Sequence, residues 1–314
     1  MTELTKKTNA GLLARFGRNI LDNPSLYLLT LLPLAYLIIF KYVPLYGVQI
    51  AFRDYNPARS MANSPWVGLR HFSRFFSYYR FWEIMKNTIV INFYGLLVFP
   101  LPIVFAMLLN YSPIKSFKKT LQMVSYAPHF ISTVLMVGMI LQFFDRRLGV
   151  INLLIQLLGF SPVSFLSNPK YFIHIYVWTG VWQGIGYSSI IYIAALSGVS
   201  PELHEAAIVD GASIMRRIIH IDIPSITPTI SLLLILNLGS IMNLGYEKIL
   251  LMQNNLNITV SEVISTYVYK QGIASAVPQY SYATAINLFV SLINIIFLLT
   301  ANKIVAKLTD TGLW

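Results

Sequence analysis

Residues 200–228 read SPELHEAAIVDGASIMRRIIHIDIPSITP, a polar stretch between two long apolar runs. Ser200-Pro201-Glu202 is a helix start: a capping hydroxyl, a proline whose missing donor is not needed in the first turn, and an acid facing the positive helix end. The pattern predicts a short helix from 201 to about 209. Asp210-Gly211 supplies a turn, because glycine takes positive φ without steric cost, and Ser213 is placed to cap a second short helix carrying Arg216 and Arg217. Pro224 and Pro228 mark the return into apolar sequence. The result is a compact helical knob outside the membrane, with Leu203, Ala206 and Ala207 on one flank, where small side chains let a partner's surface come close. On spacing alone, an ordinary connection between two membrane helices accounts for it as well.

Outward from this stretch the chain is built of apolar runs. A bilayer core about 30 Å thick needs about 20 mostly apolar residues per helix, and six such runs occur, at about 26–46, 84–109, 121–144, 171–196, 226–251 and 281–301. The expected fold is an all-α membrane protein with six transmembrane helices. Composition agrees: 56% of the 314 residues are hydrophobic and 11% charged, against about a quarter charged in soluble domains. A basic segment, 1–25, precedes the first run, which is followed by no small-residue cleavage pattern and is expected to stay as an anchor, leaving 26–314 as the membrane domain. The formal charge of +11 does not indicate nucleic-acid binding, because the basic residues punctuate apolar runs instead of forming one stripe, as suits contact with anionic lipid headgroups. With the N-terminus inside, the inner segments hold Lys6, Lys7, Arg15, Arg18, Lys115, Lys118, Lys119, Arg216, Arg217, Lys303 and Lys307. The outer ones hold Arg53, Arg59, Arg70, Arg74, Arg80, Arg146, Arg147, Lys170 and Lys270. The bias favours an N-in/C-in topology. Pro33, Pro100, Pro102 and Pro128 fall inside the runs and predict kinked helices in a packed bundle, which fits a transporter or channel better than a simple anchor.

Several chemistries are excluded. There are no cysteines, hence no disulfides, thiolate metal sites or cysteine nucleophiles. A G-x-x-x-x-G-K-[ST] phosphate loop is missing, so the chain cannot hydrolyse ATP by that route. His204-Glu205 starts like a zinc protease motif but places Ile208 where the second histidine belongs, and His71, His129, His174 and His220 show no ligand spacing. No catalytic residue or metal site is expected. A self-sufficient secondary transporter is the alternative from another class, but it calls for paired broken helices or several buried ionisable groups, and the runs offer chiefly Glu247. For a solute path, Asn237, Ser240, Asn243 and Glu247 recur at helical spacing and are expected on one face of the fifth span. In the fourth, Trp178, Trp182 and Gly186 follow a four-residue step with Gln183 beside them, and aromatic rings with amides suit sugar faces and hydroxyls. The same residues also suit helix packing, interhelical hydrogen bonds, or a Glu247–Lys248 pair near the outer surface. The Arg- and aromatic-rich loop 53–82 suits contact with a partner protein, with an anionic substrate or with headgroups.

Glu205-Ala206-Ala207, Asp210-Gly211-Ala212 and Ile223-Pro224 together resemble the E-A-A…G…I-x-L-P loop of permease subunits of bacterial binding-protein-dependent ABC importers. Further matches are Ser64-Pro65-Trp66-Val67-Gly68-Leu69, Ser125-Tyr126-Ala127-Pro128-His129-Phe130-Ile131-Ser132, Phe165-Leu166 and Gly312-Leu313-Trp314. These resemble the oligosaccharide and polysaccharide permeases related to the maltose-type importers, from about residue 23 onward. Ile223 stands where the motif usually has Leu, and Ala127 where Leu is expected; both conserve packing character. The large extra outer domain of the maltose system's longer permease is missing. The resemblance implies a type I ABC importer permease (MetI-like) fold in the bacterial cytoplasmic membrane. It implies a second homologous permease, two ATP-binding subunits that hold ATP and Mg, and an extracytoplasmic solute-binding protein that delivers an oligosaccharide or polysaccharide, with no cofactor in this chain. A non-sugar solute such as a peptide is the alternative within the family. It further implies that residues 201–211 form a coupling helix seated in an ATPase groove. In that role Glu205 makes a polar contact, Ala206 and Ala207 pack, Asp210-Gly211 turns the chain, and Pro224 leads back to the membrane.

Overall fold

The computed structural model describes residues 22, 24–58, 60–309 and 312–313. Lys6, Lys7, Arg15, Arg18, Arg59 and Trp314, all used above, lie outside them. The chain divides into two compact units, Met1–Val67 and Gly68–Trp314.

In the first unit a helix, α1 (Pro24–Phe52), covers the first predicted span and exposes Leu28, Leu29 and Leu32 almost fully. A helix apolar all round is suited to lipid. After it, the Arg53 guanidinium donates to the carbonyls of Met61, Ala62 and Ser64 at 2.9–3.3 Å, and the Trp66 ring stacks on Phe52 at 5.5 Å. The Ser64-Pro65-Trp66 stretch is therefore folded back on the end of its own helix.

The second unit opens with α2 (Arg70–Phe76), then α3 (Phe81–Leu97) and α4 (Leu101–Asn110), separated by a turn where Pro100 and Pro102 start a new helix. Next come α5 (Lys115–Tyr126), α6 (Thr133–Phe143), α7 (Val150–Leu157) and α8 (Pro169–Leu196). The remainder is α9 (Pro201–Val209), α10 (Ile214–Leu238), α11 (Tyr246–Met252), α12 (Ile258–Ser261), α13 (Ile264–Tyr269) and α14 (Tyr280–Thr309). Helix α8 organises the packing. One of its ends joins a core of Ile91, Met136, Phe172, Ile175, Ile249 and Met252, while the other, through Tyr192 and Leu196, joins Ala106, Met107 and Ile226. At Gly186 a β-carbon would overlap the Ser125 carbonyl, so this glycine lets α8 meet α5 backbone to backbone. A third core unites α2, α3, α13 and α14 through Phe75, Ile84, Tyr267 and Tyr282.

Among the described residues four helices are long and apolar enough to cross a membrane: α1, α3 with α4, α10 and α14; a bent pair makes a fifth. Helix α8 has 28 residues, about 42 Å, but is interrupted by polar side chains. Two predicted spans are corrected. The third, 121–144, is not one rod: the limbs Lys115–Phe130 and Thr133–Phe143 meet at 102°. Pro128 lacks a donor, Ile131 and Ser132 are extended, and Ser132 caps the next helix by accepting from the Leu135 amide at 3.4 Å. Gln183 donates to the freed Ile131 carbonyl at 3.0 Å.

The fifth, expected at 226–251, begins earlier and ends at Leu238. A β-carbon at Gly239 would press on the Leu298 side chain, and the non-helical backbone that follows is held by Asn294. The Asn294 oxygen accepts from the Met242 amide at 3.0 Å and its nitrogen donates to the Asn243 side-chain oxygen at 3.1 Å, which supplies partners to the unwound stretch. Asn237, Ser240, Asn243 and Glu247 therefore do not share a helical face. Asn237 lies in the last turn of α10, Ser240 and Asn243 in the connection, and Glu247 in the first turn of α11.

Polar brackets hold the connections. Asn257, fully buried, donates to the carbonyls of Leu166 and Met252 at 3.0 Å and accepts from the Asn254 amide and the Ser261 hydroxyl. Asn152 likewise ties Asp145 to Val163. Buried Glu262 takes the Lys270 ammonium at 2.7 Å, and Asn87 of α3 donates to the carbonyls of Thr259 and Glu262.

Candidate functional site

The knob forms as its sequence dictates. Helix α9 runs Pro201–Val209, with the Ser200 hydroxyl accepting from the Glu202 amide at 3.3 Å. At its end Gly211 adopts φ +74°, the Ala212 amide reaches the Ala207 carbonyl at 2.8 Å and the Gly211 amide the Ile208 carbonyl at 3.0 Å. This paired closure is the Schellman arrangement, in which glycine holds the left-handed position. Ser213 caps α10 by accepting from the Arg216 amide. Glu205, Ala206, Val209 and Asp210 are exposed, while Ala207 is half-buried.

One residue of the knob turns inward. The His204 ring nitrogen Nε2 lies 3.2 Å from Oδ1 of Asp222, a carboxylate buried completely in α10. Its other oxygen, Oδ2, accepts from the Tyr111 hydroxyl at 2.6 Å, and the Arg217 guanidinium lies 5.5 Å from the Tyr111 ring. Burial, then the bond to Asp222, pushes the Tyr111 hydroxyl up to about 12, so it stays a donor across the physiological range. The backbone explains how Asp222 reaches this position: residues 218–222 make a wide π-type turn, in which the Ile223 amide reaches back five residues to the Ile218 carbonyl. Such turns rotate the following side chains relative to a regular helix, and Pro224 follows immediately. Tyr111, His204, Asp222 and Arg217 thus pin the knob to the end of α4. Sequence reasoning missed Tyr111, His204 and Asp222; the one signal was an acid among isoleucines just before Pro224.

A cavity of about 880 Å³, open on one side, lies among α3, α4, α8, α10 and α11. Its wall carries Asn92, Tyr176, Gln183, Tyr187, Ser188, Asn237 and Lys248, with glycines 95, 180 and 184 giving a smooth surface. Of the expected path residues, Gln183 and Asn237 line it. Trp178 and Trp182 are half-exposed elsewhere on α8, and the Trp178 indole donates to the Tyr94 hydroxyl at 2.9 Å. Ser240, Asn243 and Glu247 are not among the lining residues. The expected Glu247–Lys248 pair does not form either: the Lys248 ammonium donates instead to the Tyr176 carbonyl at 3.0 Å. Lys248 is the charged lining residue that sequence reasoning passed over.

A bundle of lipid-suited helices around a cavity, with a capped, exposed helical knob against one helix of the cavity wall, has the architecture of a membrane transport subunit. The chain belongs to one such family: residues 82–310 match the family described as binding-protein-dependent transport system inner membrane component. It is 42% identical over 290 residues to Protein LplB of Bacillus subtilis strain 168, covering 92% of this chain and 91% of that one. It is 39% identical over 296 residues to the polygalacturonan/rhamnogalacturonan transport system permease protein YteP of the same organism, covering 94% and 92%. Among solved structures it is similar to a chain of a bacterial ABC transporter involved in the import of the acidic polysaccharide alginate. That match has a TM-score of 0.85 and 34% identity, and covers 94% of this chain and 99% of the other. It is likewise similar, at a TM-score of 0.86 and 34% identity, to a chain of a bacterial alginate ABC transporter in complex with an alginate-pentasaccharide-bound periplasmic protein.

Proposed function

We propose that this chain is a permease subunit of an ATP-driven ABC importer for an oligosaccharide or polysaccharide, working with a second homologous permease, two ATP-binding subunits and an extracytoplasmic solute-binding protein. It crosses the bacterial cytoplasmic membrane six times with both ends inside, using α1, α3 with α4, α5 with α6, α8, α10 and α14, after a cytosolic segment 1–25. ATP and Mg bind to the partner ATPases, not here. The coupling surface is 201–211, with Glu205, Ala206 and Ala207 toward the ATPase, Asp210 and Gly211 closing the turn and Pro224 at the root. The observation that carries the reading is mechanical. The knob is latched through buried Asp222 of α10, the helix whose other end brings Asn237 to the cavity, so ATPase movement reaches the solute path through one rod. Gln183 and Asn237 bond sugar hydroxyls there; Trp178, Trp182, Ser240, Asn243 and Glu247 border the path. Reversing charge at Glu205 (Glu205→Lys) is expected to abolish uptake in the reconstituted importer while the assembled complex is still recovered. Normal binding-protein-stimulated ATPase activity and uptake in that variant would overturn the coupling assignment.

A further inference from the structure

We infer that Lys248 is the charge-reading residue of the cavity and selects a carboxylate-bearing saccharide, such as a chain of uronic acid units. The inference rests on the reading of the chain as a saccharide permease and says which saccharides it accepts. Lys248 sits in α11 with its ammonium on the cavity wall beside Gly180, whose β-carbon, if present, would make an ordinary contact with Nζ at 3.6 Å. One turn before Gly180, Tyr176 supplies both holds on the cation, its carbonyl at 3.0 Å and its ring at 4.9 Å. The ammonium has three donors, and among the described residues one acceptor and no carboxylate meets it. The cavity lining contains no Asp or Glu. Glu247 is adjacent in sequence, but neighbouring residues on a helix point apart, and it is exposed.

A cation on a cavity wall among apolar helices with no carboxylate beside it is costly, and the usual reason is a ligand or ion path. Elsewhere in the same unit, where a lysine is structural, it is neutralised: Lys270 has Glu262 at 2.7 Å and Gln253 at 2.6 Å. The rest of the cavity wall is neutral and suited to sugars, with the amides of Asn92, Gln183 and Asn237 and the hydroxyls of Tyr187 and Ser188. A neutral sugar would use those groups and leave Lys248 unpaired. A uronate carboxylate completes it with a charge-assisted bond in a medium where such bonds are strong. The relatives named above include one for polygalacturonan and one for alginate, both polymers of acidic sugars.

The test uses the complete importer, purified through a tag on this chain and reconstituted in proteoliposomes. The probes are trigalacturonate and its fully methyl-esterified, uncharged counterpart, compared in wild type, Lys248→Gln and Lys248→Arg. Lys248→Gln is expected to lower trigalacturonate uptake per assembled complex about tenfold or more, the scale of one lost hydrogen bond to a charged group. Methyl-ester uptake should stay unchanged, and Lys248→Arg should restore much of the acidic-sugar uptake. Equal losses for both probes would make Lys248 a packing residue, and no loss for either would remove it from the path; both overturn the inference. A wild-type complex that imports neutral oligosaccharides but not trigalacturonate overturns it while leaving the saccharide-permease reading intact. One that imports no saccharide at all overturns both.

Discussion

Gly211 holds φ +74° with open space where a β-carbon would stand, so replacing it isolates one quantity, the cost of a left-handed L-residue. That cost is about 1–2 kcal/mol for Gly211→Ala and greater for β-branched Gly211→Val. Both variants are expected to insert and assemble normally yet lose binding-protein stimulation of ATP hydrolysis, Val more than Ala; equal stimulation in all three would detach the turn from coupling. A second residue-scale prediction concerns the latch. Tyr111→Phe deletes the 2.6 Å bond to Asp222 and is expected to cost about 1.5–3 kcal/mol, as for a bond to a charged group, read as faster amide exchange across 201–209. Unchanged exchange there would show that the knob is held by its own caps alone. The caps at Ser200, Gly211 and Ser213 were legible in the sequence because each is a local rule acting within a few residues. The latch was not, because Tyr111 and Asp222 stand 111 positions apart and no periodicity links them.

Helix existence was written in the apolar runs, since about 20 such residues suffice to specify a crossing. Helix continuity was not. Pro128 announced a kink but not a 102° break, Gly239 sits inside a run that reads as unbroken, and the non-helical backbone beyond Leu238 is held by Asn294 on α14. That is why the expected four-residue polar face dissolved while Asn237 alone kept its place on the cavity. The connections beyond the helices depend on their asparagine brackets. Asn257→Ala removes four hydrogen bonds from a fully buried site, including one of those that tie 252–257 to the Leu166 carbonyl. At about 1–3 kcal/mol for each buried group left unsatisfied, the detergent-solubilised protein should melt several degrees lower, whereas Asn254→Ala, on an exposed residue, should melt closer to wild type. Identical melting of Asn257→Ala and wild type would mean that solvent replaces the bracket.

For the whole molecule, family membership and the missing phosphate loop lead to a simple expectation: this chain, purified alone into liposomes, takes up no saccharide, and uptake returns only with its partner subunits and ATP. Substrate accumulation by the chain alone would contradict the division of labour. Helix α10 begins at the Ser213 cap beside the knob and carries Asn237 near its other end. Its 25 residues make a rod of about 37 Å at 1.5 Å per residue. Pivoted at one end, a rod of that length swings its far tip by about 6 Å for every 10° of tilt, roughly the width of one pyranose ring. A tilt of about 10° is therefore enough, by leverage alone, to move the Asn237 end of α10 by about the width of one sugar ring.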